Sequence, residues 1–243
     1  MGKLLVFCSG KGGVGKSTVA AGMSIAAAAE GNRTLLIETD SGLRCLDLML
    51  GVSDRLVFDL FDVVDGGRDV EDAAVVCDEA ERLYLLSAPV NEYDMDPERL
   101  ADFASQMTEQ FDYVLIDCPA GINKDLLAAL PKNTGIMIVT NPLEIPLRDA
   151  DGLRRTVAAK TDAPCYLILN RFCLKDVKKG LSVGIDDAMD MSGLKLMGVV
   201  PQDKAVWNMD SRRYIKSHAA RAFGRIYKRI EGQNVALPKA KKI

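Results

Sequence analysis

Histidine is almost absent from this sequence, and its absence limits the chemistry. The 243 residues include one, His218. A Ser-His-Asp or Cys-His mechanism needs a histidine beside its nucleophile, and many zinc sites also use histidine ligands. His218 lies in a helical pattern near the end of the chain, where we expect a surface or packing residue. The single tryptophan, Trp207, and the ten methionines are likewise expected to be packing residues.

Paired cysteines are missing as well. None of the six cysteines forms a C-x-x-C pair, and most lie inside apolar runs. They predict buried free thiols in a reducing compartment. An iron–sulfur carrier would use paired cysteines, so this class is disfavoured. The six positions are Cys8, Cys45, Cys77, Cys118, Cys165 and Cys173.

The sequence also has no run of 18 apolar residues, no Pro/Gly/Ser-rich linker and no internal repeat. Its first residues enter an apolar strand too early for a secretory signal. These absences predict a single domain over residues 1–243 and a cytoplasmic location. The net charge of −3, from 31 basic and 34 acidic side chains, does not by itself suggest a nucleic-acid binder.

Short apolar runs alternate with helical patterns along the whole chain. This alternation predicts an α/β fold with a mostly parallel central sheet flanked by helices. Ligands of such sheets lie beyond the carboxyl ends of the strands, and a polar group follows nearly every run. The seven runs are 3–8, 34–39, 83–88, 113–118, 135–140, 165–170 and 194–200.

The strongest motif is the glycine-rich stretch SGKGGVGKSTV at 9–19. It fits G-x-x-x-x-G-K-[ST], follows a predicted strand and precedes a predicted helix, as a phosphate-binding loop must. Backbone N–H groups of such a loop point at phosphate oxygens, its lysine reaches the β and γ phosphates, and its hydroxyl binds Mg²⁺. We therefore predict Mg²⁺ and a nucleotide with β and γ phosphates as ligands, held by Gly12, Gly13, Val14, Gly15, Lys16, Ser17 and Thr18.

Two carboxylates, Asp40 and Asp117, follow predicted strands at the same edge of the sheet. Each could face Mg²⁺ or the attacking water, as phosphoryl transfer requires. Each could instead cap the next turn, as aspartate often does. The phosphate-binding loop at the same edge favours the functional interpretation.

These residues resemble the MinD/ParA family of bacterial and archaeal ATPases, which carry a deviant Walker A loop. The stretches GLRCLDLMLG and DCPAGI favour the MinD branch of that family. The resemblance covers nearly the whole chain and rests on SGKGGVGKST (9–18), DSGLRCLDLMLG (40–51), DYVLIDCPAGI (112–122), TNPLEIPLRDADGL (140–153) and MGVVPQD (197–203).

The resemblance implies a role for each matching position. Lys11, the extra lysine of the loop, reaches the phosphates of a second subunit in an ATP-dependent homodimer, as an arginine finger does. Lys16 binds phosphate, Asp40 orients the attacking water, and Ser17, Asp40 and Asp117 form the Mg²⁺ site. The adenine-facing positions are Asn170, Pro201 and Asp203.

The function implied is a molecular switch that hydrolyses ATP to ADP and controls spatial positioning, such as placement of the division site. A protein activator and an effector of the Min type would be its partners. Three alternatives stay open: a ParA-type partition ATPase or another polar-positioning ATPase of the family, an iron–sulfur carrier, and an enzyme that phosphorylates or ligates a small molecule.

One position departs from the family pattern. Glu38 stands two residues before Asp40, where the family commonly has aspartate. The longer carboxylate could still serve an Mg²⁺ ion, but with a different geometry.

The C-terminal region is the second departure. The last residues, GQNVALPKAKKI, contain Pro238 and no apolar helical spacing, so we do not expect the membrane-inserting helix with which MinD proteins usually end. The preceding segment, 212–230, holds seven basic residues and no acidic one. We expect one helix there, with one apolar face made of Ile215, Ala219, Ala222, Phe223, Ile226 and Ile230.

Three interpretations of this basic segment stay open. It is the last core helix, a surface for anionic lipid at the inner face of the membrane, or a non-specific DNA surface. The basic side chains considered are Arg212, Lys216, Arg221, Arg225 and Lys228, with Lys239, Lys241 and Lys242 extending the charge to residue 242.

Overall fold

A computed structural model of the chain describes residues 1–41, 44–77, 81–207, 209 and 212–237. Several residues named above lie outside the described part: Gly42, Leu43, Pro238, Lys239, Lys241 and Lys242, together with the side chain of Arg212.

The described residues form one eight-stranded sheet in the order β3-β4-β2-β5-β1-β6-β7-β8. All neighbouring strands are parallel except the antiparallel pair β3 and β4, so the predicted fold class is confirmed. The two-residue strand β3 was not predicted. The strands are β1 Lys3–Cys8, β2 Thr34–Glu38, β3 Val75–Val76, β4 Leu83–Leu86, β5 Tyr113–Asp117, β6 Gly135–Thr140, β7 Cys165–Phe172 and β8 Lys195–Pro201.

Helices connect the strands and cover the sheet. None in the described part of the chain is both long and apolar enough to span a bilayer. They are α1 Lys16–Ala29, α2 Leu46–Met49, α3 Leu60–Val64, α4 Val70–Ala73, α5 Pro97–Met107, α6 Lys124–Ala129, α7 Glu144–Lys160, α8 Leu174–Lys178, α9 Ile185–Ser192, α10 Arg212–Ile215 and α11 His218–Ile230, with 3₁₀ turns at Ser53–Arg55 and Lys204–Trp207.

The core lies on both faces of the sheet. Along β1, Val6 and Cys8 pack into the cluster under α5, α6 and α7, whereas Leu5 and Phe7 pack into the cluster under α1 and α11. Successive side chains of a strand point to opposite faces, so a strand with helices on both sides must be apolar throughout. This explains the continuous apolar runs of the sequence. None of the six cysteines is in a disulfide, as predicted, but only Cys8, Cys77 and Cys118 are buried, and the other three are half-buried.

The basic segment does not form the single helix predicted for 212–230. It forms α10 and α11, separated at Ser217, whose hydroxyl accepts a hydrogen bond from the N–H of Ala220 and caps α11. Ile215 therefore leaves the buried face and is 54% exposed. The rest of the predicted face is correct for Phe223 and Ile226, which are buried against α1 and β8.

The core-helix interpretation is thus confirmed for α11. Lys216, Arg221 and Lys228 lie exposed on the outer surface, which leaves their positive charge available for a partner. His218 is also exposed, as predicted.

Candidate nucleotide-binding site

The phosphate-binding loop joins β1, near the middle of the sheet, to α1. The backbone conformation of this loop and its close contacts with neighbouring residues require glycine. Gly15 has a left-handed φ of 87° and caps α1, and a Cβ atom there would lie 2.3 Å from Nδ2 of Asn170. A Cβ at Gly10 would lie 2.6 Å from the Cβ of Asp149 on α7. Real Cβ atoms do not approach this closely, so the loop can touch β7 and α7 only because it has glycine at these positions.

Lys16 points inward and meets Asp117. Its Nζ lies 2.7 Å from Oδ1 of Asp117 and 3.3 Å from the hydroxyl oxygen of Ser17. Both charged side chains are buried, with 8% and 1% of their surface exposed. Lys16, Ser17 and Asp117 therefore lie together, as the sequence predicts. The buried positive charge of Lys16 is balanced by the negative charge of Asp117.

Asp117 has unused capacity for a cation. Its Oδ2 is buried and accepts no hydrogen bond from the described residues. Burial raises the pKa of Asp117, while the charge and hydrogen bond of Lys16 oppose that rise. A buried carboxylate oxygen without a partner is costly, and hard cations such as Mg²⁺ prefer oxygen ligands. The donor set of Asp117 and Ser17 thus fits the predicted Mg²⁺ ion.

Asp40 lies at the edge of this site. It is half-buried and follows β2, and its negative charge adds to the raised pKa of Asp117, after the larger effect of burial. The preceding residue, Thr39, donates hydrogen bonds from its N–H and its hydroxyl to the carbonyl oxygen of Asp117, at 3.1 and 2.9 Å. The two predicted carboxylates are therefore held within electrostatic range of each other by the backbone between them.

Glu38 is fully buried and its carboxylate is already occupied. Oε1 accepts hydrogen bonds from the N–H groups of Cys45 and Leu46, at 2.9 and 3.1 Å, and Oε2 accepts one from the hydroxyl of Ser87 at 3.0 Å. Burial raises its pKa, and the two backbone hydrogen bonds counter that effect. Glu38 thus fastens the start of α2 and the end of β4 to β2.

Lys11 differs from Lys16 in that its side chain is not buried. Half of its side chain is exposed (52%), and its Nζ is 3.2 Å from Oδ2 of Asp149. Asp149 was not predicted as a site residue. Its only sequence signal was its place in the stretch after β6, and nothing there indicated a partner for Lys11. The ion pair directs the side chain of Lys11 towards Asp149 on α7, at the exposed rim of the site.

A cavity of about 350 Å³ opens beside Thr18 and the carboxyl ends of β7 and β8. Its lining includes the predicted Asn170, Pro201 and Asp203. Asn170 also donates a hydrogen bond to the carbonyl oxygen of Val14 at 2.8 Å, so it supports the phosphate-binding loop. The cavity and the loop are therefore parts of one continuous site.

Two residues of this cavity were missed. Trp207 lines it and is 77% exposed, so the expectation of a packing residue was wrong. Arg171 also lines it and has a φ of 54°, the one positive value at a non-glycine residue of the described chain. Left-handed backbone is strained for arginine and is found at functional sites. Both side chains present flat faces suited to stacking on a base.

Asp203 lines the cavity, but its carboxylate is engaged with backbone. Oδ1 accepts the N–H of Ala205 at 3.0 Å, and Oδ2 accepts the N–H groups of His218 and Ala219 at 3.0 and 3.3 Å. Burial acts to raise the pKa of Asp203, but these three hydrogen bonds outweigh it and the pKa is lowered. Asp203 therefore joins the cavity wall to the amino end of α11.

Comparison with known proteins agrees with this geometry. Residues 5–214 match the CobQ/CobB/MinD/ParA nucleotide-binding domain. Septum site-determining protein MinD of Bacillus subtilis is 33% identical over 246 residues, covering 98% of this chain and 92% of that protein.

Two solved structures share the fold over nearly their whole length. MinD in the MinC:MinD cell division complex of Aquifex aeolicus has a TM-score of 0.87, with 29% identity and 98% coverage of both chains. MinD of Pyrococcus horikoshii, complexed with Mg-ADP, has a TM-score of 0.80, with 27% identity and coverage of 95% and 96%. The three relatives compared above are MinD proteins, and the chain thus belongs to the MinD/ParA family of nucleotide-binding proteins.

Proposed function

We propose that this chain is a MinD-type ATPase that works as a dimerising switch in the placement of the cell-division site. The observation that carries the proposal is the pair of lysines in one loop. Lys16 is buried against Asp117, whereas Lys11 is exposed at the rim. One lysine is positioned to bind the phosphates of its own subunit, and the other is accessible to a second subunit.

Binding of ATP uses groups that are already in place. Backbone N–H groups of the loop receive the phosphates, and Lys16 exchanges its contact with Asp117 for one with phosphate oxygens. Asp117 and Ser17 would hold Mg²⁺ through their oxygen atoms, and the ion would neutralise phosphate charge. The cavity of about 350 Å³ would hold the adenine base, with Trp207 and Arg171 available for stacking and Asn170 and Pro201 in its wall.

Hydrolysis depends on two groups at the rim. Asp40 accepts a hydrogen bond from the attacking water and orients it. Lys11 leaves Asp149 and adds positive charge to the phosphates of the second subunit, where negative charge develops in the transition state. Because Lys11 acts across the dimer, an isolated subunit is slow, and a protein activator that favours the closed arrangement raises the rate.

The switch needs partners that respond to the dimer. A MinD relative forms a complex with MinC, and we propose an effector and an activator of the Min type for this chain. Exposed Lys216, Arg221 and Lys228 on and beside α11 are suited to anionic lipid at the inner face of the membrane. The same charges suit DNA backbone, which keeps partition as the second candidate.

Co-sedimentation tests both the switch and its surface. The protein is centrifuged with anionic vesicles and, separately, with DNA, each in the presence of ATP, ADP or no nucleotide. Lys16→Ala is the control. ATP-dependent binding to vesicles supports the MinD function, and binding to DNA alone supports the partition function. If ATP neither binds nor is hydrolysed, the proposed function is wrong.

A further inference from the structure

A second cavity lies at the edge of the sheet opposite the nucleotide site. It has a volume of about 480 Å³, and its lining comes from the amino ends of β1, β6, β7 and β8 and from the last turn of α11. Nucleotides bind beyond the carboxyl ends of parallel strands, and the two cavities share no lining residue. The second cavity is therefore separate from the ATPase site, and its size is that of a small-molecule site.

The floor of this cavity is apolar. It consists of Leu5 from β1, Met137 from β6 and Met197 from β8. Gly135 keeps the floor open, because a Cβ atom there would lie 2.8 Å from Cδ2 of Leu5 and 3.3 Å from Cε of Met137. Methionine is unbranched and adapts to irregular neighbours. The floor is therefore suited to a flexible aliphatic chain.

Arg229 places a positive charge in the wall of the cavity. Its Nε donates to the carbonyl oxygen of Val235 at 2.8 Å, and its Nη1 donates to the carbonyl oxygen of Met197 at 3.0 Å. Among the described residues, Nη2 has no acceptor and no carboxylate forms an ion pair with Arg229. Burial lowers the pKa of Arg229, although arginine stays charged at neutral pH. The wall thus holds a partly desolvated cation that has an unused donor and no counter-charge.

Lys3 also lines the cavity, but its charge is already compensated. Its Nζ lies 2.6 Å from Oε1 of Glu231 and donates to the carbonyl oxygen of Ile230 at 3.1 Å. The hydroxyl of Tyr113 hydrogen-bonds to the same carboxylate. Glu231 is therefore engaged with Lys3 and Tyr113, and the positive charge of Arg229 remains for a ligand.

We propose that this cavity binds a fatty acid, with its hydrocarbon chain over Leu5, Met137 and Met197 and its carboxylate on Arg229. A carboxylate accepts the unused N–H of Nη2 in a charge-assisted hydrogen bond and supplies the missing counter-charge. A molecule with one anionic end and an apolar body matches a cavity that has a cation in its wall and an apolar floor. The proposal does not rest on the ATPase function.

Calorimetric titration with decanoate tests the site. The full chain is titrated with sodium decanoate below the concentration at which it forms micelles, and decan-1-ol and acetate are the controls. One decanoate should bind per chain, at least tenfold more tightly than either control, because decanoate alone has both the aliphatic chain and the carboxylate. Equal affinities for decanoate and decan-1-ol, or no saturable binding of decanoate, would overturn the proposal.

Two arginines of α11 provide a matched pair of variants. Arg225 lies one turn before Arg229, is also half-buried and also has no ion pair among the described residues, but it does not line this cavity. Arg229→Gln should weaken decanoate binding at least tenfold, as the loss of a hydrogen bond to a charged group does, and should leave the affinity for decan-1-ol within twofold. Arg225→Gln should change decanoate binding less than twofold. Equal losses in the two variants would show a general attraction to the basic helix, and the proposed site would be wrong.

A variant outside α11 keeps the test independent of the backbone contacts of Arg229. Asn133 is exposed and lines the cavity, so the indole of Asn133→Trp should block the cavity and abolish decanoate binding at an unchanged melting temperature. Unchanged binding in this folded variant would overturn the proposal. Saturating ADP should leave the affinity for decanoate within twofold, and competition between the two ligands would place decanoate in the nucleotide cavity instead.

Discussion

Replacing Glu38 tests whether its carboxylate stabilises the structure around the site or is a ligand of the metal. In Glu38→Ala the N–H groups of Cys45 and Leu46 lose their acceptor, and Ser87 loses its partner. A buried polar group left without a partner costs about 1–3 kcal/mol. Allowing for the relief of burying a charge, we expect the free energy of unfolding to fall by about 3 kcal/mol. That corresponds to a melting temperature lower by about 6–12 °C for a domain of this size.

Glu38→Gln is the matched control. Its amide oxygen can accept from both backbone N–H groups, and its amide nitrogen can donate to the hydroxyl of Ser87. We expect a loss of less than about 1 kcal/mol and Mg²⁺-dependent ATP hydrolysis close to that of the unmodified chain. Thermal melts and a phosphate-release assay measure both. Loss of hydrolysis in Glu38→Gln without loss of stability would show that the carboxylate binds the metal, contrary to the geometry.

The pH dependence gives a second check on Glu38. Its pKa is raised in the folded chain from the ordinary 4.5, so the folded state holds this proton more tightly than the unfolded state does. The contribution to stability is fully present below about pH 4.5 and is lost as the pH rises through the folded pKa. Glu38→Gln lacks this contribution. The stability of the unmodified chain should therefore decline relative to the variant as the pH rises above 4.5.

The other predictions concern the rim and the cavity. Asp149→Asn should release Lys11 from its ion pair and raise basal ATP hydrolysis no more than severalfold, since exposed ion pairs contribute about 0–1 kcal/mol. Lys11→Ala should abolish activator-stimulated hydrolysis. Stimulated hydrolysis in that variant would refute the action of Lys11 in trans. Titration with ADP should quench the fluorescence of Trp207 saturably, and Lys16→Ala should shift the midpoint at least tenfold. Asp203→Ala should lower the free energy of unfolding by about 1–2 kcal/mol in urea melts at pH 7. Because the pKa of Asp203 is lowered from 3.8, the difference should shrink as the pH falls below that value, and a difference that persists there would contradict the capping role.

The central strands could be predicted because their patterns are local. The runs at 3–8 and 135–140 coincide with β1 and β6, since strands covered by helices on both faces are apolar without interruption. β3 could not be predicted: it has two residues, Val75–Val76, and exists only because it pairs with β4. The break before α11 was missed for a similar reason. Ser217 has the sequence of a cap, but Asp203 supplies two of the hydrogen bonds at that helix end from 15 and 16 residues away.

The site residues divide in the same way. Lys16 and Ser17 could be named because a phosphate-binding loop fixes their chemistry by spacing, and Asp117 because it ends an apolar run at the same edge of the sheet. The pairing of Lys11 with Asp149 joins residues 138 positions apart in the chain, and no local pattern indicates it. In the sequence, Glu38 was recognised only as a departure from the family pattern, which commonly has aspartate at this position. Its function depends on Ser87, which is 49 residues away, and on backbone groups that become neighbours when α2 forms.

The central position of β1 determines which parts of the protein unfold first. Four strands lie on one side of β1 and three on the other, so the backbone amides at the base of the phosphate-binding loop exchange their hydrogens only when the whole molecule unfolds. α3, β3 and the loop after β4 lie at the outer edge and can open alone. Proteases should therefore cut this edge of the molecule before they cut the strands on either side of the phosphate-binding loop.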